Sequence, residues 1–566
     1  MDRRSFLGQL AAVSATARLL AQEMAHRTES LEFQFIRPKQ GKHPFRLRTM
    51  DRRPDIVLIT LDMVSPDHWR PARKLFQEMD LVALRTLAAE SVVFTNCFTT
   101  SPLCAPARAT IATGRYTYIT ANGERAHDGH ETALRPDDVI FQEYLKATGY
   151  RTKHAGKGHL GTQKLIEAFD ENIEAWDRWA PPVHDDEEYL SHLARLGVKG
   201  FRYRKEIYGL QQDRRTPWAR WGGWLEQANG EPFPIEAQYT HYLVERAIRK
   251  LDAALQPEGP TRPPLYLQLD IFDPHQPFSI PAGLEDREKE LRRVIRLHPS
   301  YERVRQNDWR RFPDEPKVYH FYRKNWGLYD GQTALDYMVA NALQMEVVDR
   351  ALRKLLSALK ERRIYDEALI IFTVDHGEMN TRSALVDKGV YLYPEVLRVP
   401  LMIKPPASWA IKPHSVDAPV CHLDIAPTIL EAAGIEPMAR MDGRSLLPYI
   451  RGTTVAADRP FLMECGWHVA VNFACGIQRW DKTGHYLYVY NCSDEIDELY
   501  DLNDEEPQNL ALQPQYGKLR RDMAEYLGAF LERDVRWIGY WHSFRIDHYF
   551  DLPRHVPGDV QMFRPV

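Results

Sequence analysis

Four stretches of this chain are apolar almost without interruption and rich in β-branched residues. They are DIVLITL (Asp55 to Leu61), PPLYLQLDIF (Pro263 to Phe272), ALIIFTV (Ala368 to Val374) and VPLMIKP (Val399 to Pro405). A strand wet on one face alternates apolar and polar residues, so a continuous run calls for cover on both faces. A mainly parallel sheet between helices supplies that cover. Helical patterns lie between the runs: VALRTLAAE, ATIATG, DVIFQEYLKATG, HLDIAPTILEAAG, and a long one from about Thr333 to Arg362. The long helix repeats apolar residues at Met338, Ala342, Met345, Val348, Leu352, Leu355 and Leu359. Strand–helix alternation of this kind predicts an α/β, doubly wound sheet.

At 566 residues the chain exceeds one ordinary domain and fits a large α/β domain with a small second one. The composition shifts after about 455, where short strands such as HYLYVYN and a helix, LRRDMAEYLGAFLER, predict a C-terminal α+β subdomain over 456–566. The main α/β domain is expected over 54–455. Two segments break its rhythm and are expected to be insertions. One, near 180–260, holds several tryptophans. The other, near 281–330, is a charge run expected to be a solvated helical face. Residues 26–53 are expected to form an irregular polar arm.

Lys plus Arg is 74 and Asp plus Glu is 78. A net charge of −4 gives no basic excess of the kind a nucleic-acid partner would want. The N-terminus reads MDRRSFLGQLAAVSATARLLAQ, with Arg3 and Arg4 ahead of Ser5-Phe6-Leu7 and an Ala-rich run. That pattern resembles a twin-arginine signal over residues 1–25 and predicts a periplasmic or secreted protein. Gln9 and Arg18 interrupt the run, which is too short for a stable membrane span. None of Cys97, Cys104, Cys421, Cys465, Cys475 and Cys492 forms a CxxC. An oxidising compartment would permit a disulfide among the last three, or one between Cys97 and Cys104.

Parallel sheets place their ligands beyond the carboxyl ends of the strands. There the sequence delivers Asp62, Lys157 and His159 (GKGHLG), Asp273 and His275 (DPHQPF), and Asp375 and His376 (TVDHGE). Four strand ends bearing Asp, His or Lys point to a metal-assisted anion-transfer site. Asp62, Asp375 and His376 can ligate a divalent cation. Lys157 and Lys388 could hold a tetrahedral oxyanion, and His275 and His159 are candidates for proton transfer. Cys104, in SPLCAPARATIATGR, stands at a predicted helix start, where thiolates and anions are favoured, and Pro106 suits its first turn.

Cys104-Ala-Pro106-Ala-Arg108 followed by TIATGR resembles the signature C-x-P-x-R of the formylglycine-dependent type I sulfatases, of the alkaline phosphatase superfamily. GKGHLG resembles that family's GKWHLG. DPHQPF, TVDHGE, HLDIAPTILEAAGI, MDGRSLLP and DELYDLNDEEPQNLA are similar to its later segments, so the resemblance runs from about 54 to 530. It implies an alkaline-phosphatase-like sheet sandwiched by helices, and hydrolysis of a sulfate ester, with a sulfated small molecule or glycan as substrate. It also implies that a formylglycine-generating enzyme oxidises Cys104. The hydrated aldehyde attacks sulfur with help from one divalent metal ion, calcium by family habit and manganese or magnesium otherwise. Metal ligands are then Asp62, residue 104, Asp375 and His376. His275 protonates the leaving alcohol beside Lys388, Arg108 positions residue 104, Lys157 bridges it to the oxyanion, His159 takes the proton that frees sulfate, and Asn122 contacts the sulfate.

The departures matter. Met63 follows Asp62 where many members have a second aspartate, and the next acid is Asp67. His376 replaces a common asparagine, which leaves room for manganese or another transition metal. A lone Asp with Asp-His resembles the branch of phosphonate monoester and phosphodiester hydrolases, the alternative activity. Gly158 replaces a tryptophan in the pocket wall. A sulfated-glycan substrate is expected from the exported location and from tryptophans placed to stack on sugars. A non-catalytic glycan binder with an unmodified cysteine is a further alternative.

Overall fold

The computed structural model describes residues 33–36, 44–116, 138–170, 183–210, 217–256, 262–307, 315–437, 440–453, 459–468, 470–491 and 496–532, with Leu134, Ala180, Pro181 and Asp494. The twin-arginine segment, Asn122 and Cys492 lie outside the described residues.

Strands β1 (Asp55–Leu61), β2 (Val92–Phe98), β3 (Arg151–Gly156), β4 (Leu265–Ile271), β5 (Ala368–Val374), β6 (Arg398–Lys404) and β7 (His414–Val416) form the main sheet. Their spatial order is β7-β2-β6-β5-β1-β4-β3, and Val420–Cys421 adds a short eighth strand beside β2. Within it β6 runs antiparallel to both neighbours, while the other pairs are parallel. Every residue of β1, β4, β5 and β6 is buried, which explains their unbroken apolar runs.

Helices α1 (Cys104–Thr113), α2 (Tyr239–Leu255) and α3 (Gly331–Glu361) cover the sheet with their neighbours. Helix α3 packs on α2 and on the Val82–Ala89 helix; α1 packs on Ile425–Ala432, which also meets Phe141–Ala147. The long helix starts where its sequence allows a cap: Asp330 accepts the Thr333 N–H at 2.7 Å. No helix among the described residues is long and apolar enough to cross a membrane.

Register sets the height of the functional loops. Leu61 lies opposite Val374 and Ile271, and Gly156 lies opposite Asp270. The next residues therefore leave one edge together, on both sides of β1. The strand order reverses there, because β4 and β5 flank β1, and such a switch point opens a crevice.

The C-terminal part folds as a four-stranded antiparallel sheet, Leu462–His468, Ala470–Asp481, Gly484–Asn491 and Glu498–Asp501, with helix Gly517–Leu531 on its middle strands. It touches the loop that carries Lys388, because Asn472 Nδ2 donates to the Val390 carbonyl at 2.8 Å.

Three expectations need correction. The N-terminal arm is not wholly irregular: Phe45–Arg48 pairs with Phe33–Ile36 and with Ile435–Pro437 in a three-stranded sheet. Its partner strand is almost 400 residues away in sequence, beyond any local pattern. Trp221 and Trp224, within 180–260, are not sugar platforms. Trp221 and Trp224 are buried on strand Pro217–Gln227, Trp221 edge-on to Trp326 and Tyr337, and Trp224 beneath the Lys205 ammonium. The five described cysteines are free and buried, so Cys97 does not bridge to Cys104, nor Cys465 to Cys475. The charge run does form a helix, Glu285–Val294, with only Leu291 fully buried. Its arginines also reach α3, Arg287 pairing with Glu346 and Arg292 with Asp336.

Candidate active site

Cys104 is the first residue of α1, with Pro106 in the first turn and Gly114 closing the helix at φ 64. The whole helix is buried. Its N-terminus aims partial positive charge at the Cys104 side chain. Around that thiol, Cys104 Sγ lies 3.2 Å from His376 Nε2 and 3.6 Å from Asp62 Oδ1. His376 Nε2 is 3.7 Å from Oδ1 of both Asp62 and Asp375. Donor atoms of Asp62, Cys104, Asp375 and His376 all fall within 4.8 Å of one another.

Each carboxylate divides its oxygens. The Oδ1 atoms of Asp62 and Asp375 face the cluster. Oδ2 of Asp62 takes Lys157 Nζ and, at 3.5 Å, Arg108 Nη2, while Oδ2 of Asp375 takes Arg108 Nε at 3.0 Å. Arg108 Nη1 donates to the Lys157 carbonyl at 3.0 Å and lies 3.4 Å from Asp270 Oδ1. One guanidinium fork thus ties three acids and a loop beneath α1. Burial opposes the charge on Arg108, but Asp375, Asp62 and Asp270 hold it firmly ionised. Burial and the Cys104 thiol push the Asp62 carboxyl up; Lys157 and Arg108 outweigh them and hold it below its usual range. Asp375 is raised, by burial first and by Asp62 next.

These residues fit a divalent cation. Two buried carboxylates, an imidazole and the residue at 104 converge their donors, and His376 Nδ1 is engaged by the Gly377 carbonyl at 2.9 Å, which aims Nε2 into the cluster. Burial disfavours the imidazolium, yet Asp375 and Cys104 raise His376 to about 9. A cluster that draws a proton so strongly is one a cation would neutralise.

On the other wall, Lys388 Nζ lies 2.7 Å from His275 Nε2, and Phe272 stacks on His275 with ring centroids 4.8 Å apart. Lys157 Nζ sits 5.4 Å from the Phe272 centroid. Burial opposes the Lys388 ammonium, but Asp387, Cys104 and Asp62 keep it charged. Lys388 is buried rather than an ordinary surface lysine. The arrangement sets three cations, Arg108, Lys157 and Lys388, about a buried acid cluster and one residue at a helix head. Such a cluster of cations has the charge to hold a tetrahedral anion. His159 leaves the same strand end as Lys157 and is buried with φ 57.

Asp67 does not replace the missing second aspartate. It bonds Asn380 and pairs with Arg382, Arg73 and His298 in a separate buried network. At Gly158, a Cβ would meet Leu165 Cδ1 at 2.1 Å, so this leucine takes the space a larger residue would need. Sequence reasoning missed Asp270, Gln276 and Asp387. Each is polar and buried beside a motif residue, a signal that exists only once burial is known.

A family model described as Sulfatase matches residues 54–435, and one described as N-sulphoglucosamine sulphohydrolase, C-terminal, matches residues 383–533. The choline-sulfatase of Rhizobium meliloti (strain 1021) is 24% identical over 493 residues, covering 82% of this chain and 83% of that protein. The delta 4,5-hexuronate-2-O-sulfatase of Bacteroides thetaiotaomicron is 22% identical over 478 residues, covering 83% and 87%. Among solved structures, a phosphonate monoester hydrolase from Silicibacter pomeroyi superposes with a TM-score of 0.62 at 22% identity, covering 86% of this chain and 96% of that one.

Proposed function

This chain belongs to the sulfatase family and is a sulfuric ester hydrolase, and on that premise we propose that it removes sulfate from a sulfated carbohydrate. The observation that carries the reading is the setting of Cys104: at the head of a buried helix, against Asp62 and His376, with Arg108 and Lys157 fastened to the same acids. The carbohydrate part leans on the relative named for a sulfated hexuronate.

Asp62, Asp375 and His376 would hold one divalent cation together with residue 104. Bound there, the cation supplies Lewis-acid charge. Oxidised by a formylglycine-generating enzyme, residue 104 supplies an oxygen nucleophile. Arg108 orients residue 104 through its fork on Asp62, Asp270 and Asp375. Lys157 and Lys388 bind the sulfate oxygens and take up the charge that builds on them. The His275–Lys388 pair protonates the departing alcohol, and His159 accepts the proton whose loss frees sulfate. Asn122 is proposed as a further contact to the sulfate. Calcium is the proposed metal, with manganese or magnesium as alternatives. Residues 1–25 are proposed to export the folded protein to the periplasm or beyond through the twin-arginine route. Residues 54–455 are proposed as the catalytic domain and 456–566 as its C-terminal companion.

The test has two stages. Peptide mass spectrometry of protein from a host with the maturation enzyme should find an aldehyde in place of the Cys104 thiol. The matured protein should then release sulfate from a sulfated uronic acid, and Cys104→Ala should not. An intact thiol, in a host shown to mature another sulfatase, would refute the mechanism. Turnover of a phenyl phosphonate monoester in preference to every sulfate would replace it with the phosphonate hydrolase reading, which the single Asp62 and the Asp375-His376 pair favour.

A further inference from the structure

Four residues close a ring of hydrogen bonds behind the leaving-group wall. Lys388 Nζ donates to His275 Nε2 at 2.7 Å and lies 3.1 Å from Asp387 Oδ1. His275 Nδ1 faces the Gln276 carbonyl at 2.5 Å. Gln276 Nε2 donates to Asp387 Oδ2 at 2.8 Å and so returns to the start. A carbonyl only accepts, so Nδ1 carries the imidazole proton, and Nε2 accepts from the ammonium. The side chains of all four residues are buried.

Asp387 is the node of this ring. Its backbone N–H donates to Glu378 Oε1 at 2.7 Å, and its carbonyl accepts the Met379 N–H at 3.1 Å. Its Oδ1 also accepts the Lys388 N–H at 2.7 Å. One residue thereby joins the loop after β4, the loop after β5 and the lysine. It does so at φ 68, in the left-handed region where a non-glycine residue is strained by about 1 kcal/mol. Strain of that kind persists where surrounding contacts over-determine it, and it gathers at functional sites.

We infer that Asp387, acting with Gln276, is a positioning residue that holds the Lys388–His275 pair against the leaving oxygen of the substrate. The inference rests on the sulfatase reading above. During transfer, the sulfur–oxygen bond to the leaving group breaks as the oxygen on residue 104 bonds to sulfur. The leaving oxygen keeps the broken bond's electron pair and takes one proton from the Lys388–His275 pair. A poor leaving group needs that proton; a nitrophenolate scarcely does.

The choice of ester therefore reads the ring. In matured protein, kcat/KM is measured for 4-nitrophenyl sulfate and for an alkyl sulfate such as a sulfated monosaccharide. Asp387→Asn removes the charge and sets an amide against the Gln276 amide. It should lower the alkyl rate by about 100-fold, mostly in kcat, and the nitrophenyl rate by less than about fivefold. Gln276→Met cuts a single link of the ring, keeps the backbone carbonyl, and should show the same selectivity to a smaller degree. It serves as the reading if Asp387→Asn fails to fold. Asp387→Asn with Gln276→Glu restores a donor–acceptor pair across that link and should recover part of the alkyl rate. Equal losses on both esters, or no loss in either single variant, would overturn the inference. A matured wild type that hydrolyses neither ester would overturn it together with the sulfatase reading.

Discussion

Arg108→Met would remove the one side chain among the described residues that reaches Asp62, Asp270 and Asp375 together. The residue is 4% exposed and Asp62 and Asp375 are fully buried, so solvent cannot replace the lost partner. Breaking a buried ion pair from one side costs about 3–5 kcal/mol, because it strands the remaining charge. Over 566 residues, an unfolding entropy of roughly 2.1 cal/mol/K per residue makes about 1.2 kcal/mol per degree. The expected fall in Tm is therefore about 2.5–4 °C near pH 7, read by calorimetry on the unmatured protein. Arg108→Met raises the carboxyl pKa values of its partners, so the variant suffers most where those groups are ionised. Asp62 is held below its usual range in the parent, and its stabilisation is present above that range and lost as pH falls through the lowered value. The Tm gap should therefore be widest at neutral pH and shrink as pH falls through the raised carboxyl pKa values of the variant towards the lowered value of Asp62 in the parent. Arg108→Lys, which keeps charge without the fork, should lose less. A Tm within 1 °C of the parent, or a gap independent of pH, would refute the view that Arg108 holds these acids in place.

Two further predictions concern the cation cluster and the strand end. A divalent cation at about 100 times its Kd should raise Tm by about 2 °C, more weakly as pH falls because its ligands must be deprotonated, and Asp375→Asn should abolish the rise in calorimetry. Gly156→Ala should lower the denaturation free energy by about 2–4 kcal/mol in urea, since φ is 110 and the new Cβ would sit 1.9 Å from the Asp270 carbonyl oxygen; Gly149→Ala, also at positive φ but with open space, should cost only about 1 kcal/mol.

The unbroken apolar runs determined that β1, β4, β5 and β6 are buried on both faces, because burial on two sides leaves no place for alternating polar residues. Motif chemistry marked Asp62, Cys104, Lys157, His275, Asp375 and His376, because each stands just beyond a strand end or at a helix head that the local pattern already announces, while Lys388, in a loop between Val374 and Pro394, was marked only as one of that set. Those features are short-range, and a sequence displays them directly. Tertiary structure alone decided which oxygen of Asp62 meets the lysine and which faces the cluster, and that Arg108 binds three acids from three strands. It alone put Trp221 and Trp224 inside, since nothing in a tryptophan's sequence neighbours says whether a distant Trp326 or Lys205 will cover it. It also made Asp387, an unremarked acid beside a lysine, the node between loops from β4 and β5. Register between strands more than 100 residues apart sets that junction, and register is a property of the assembled sheet.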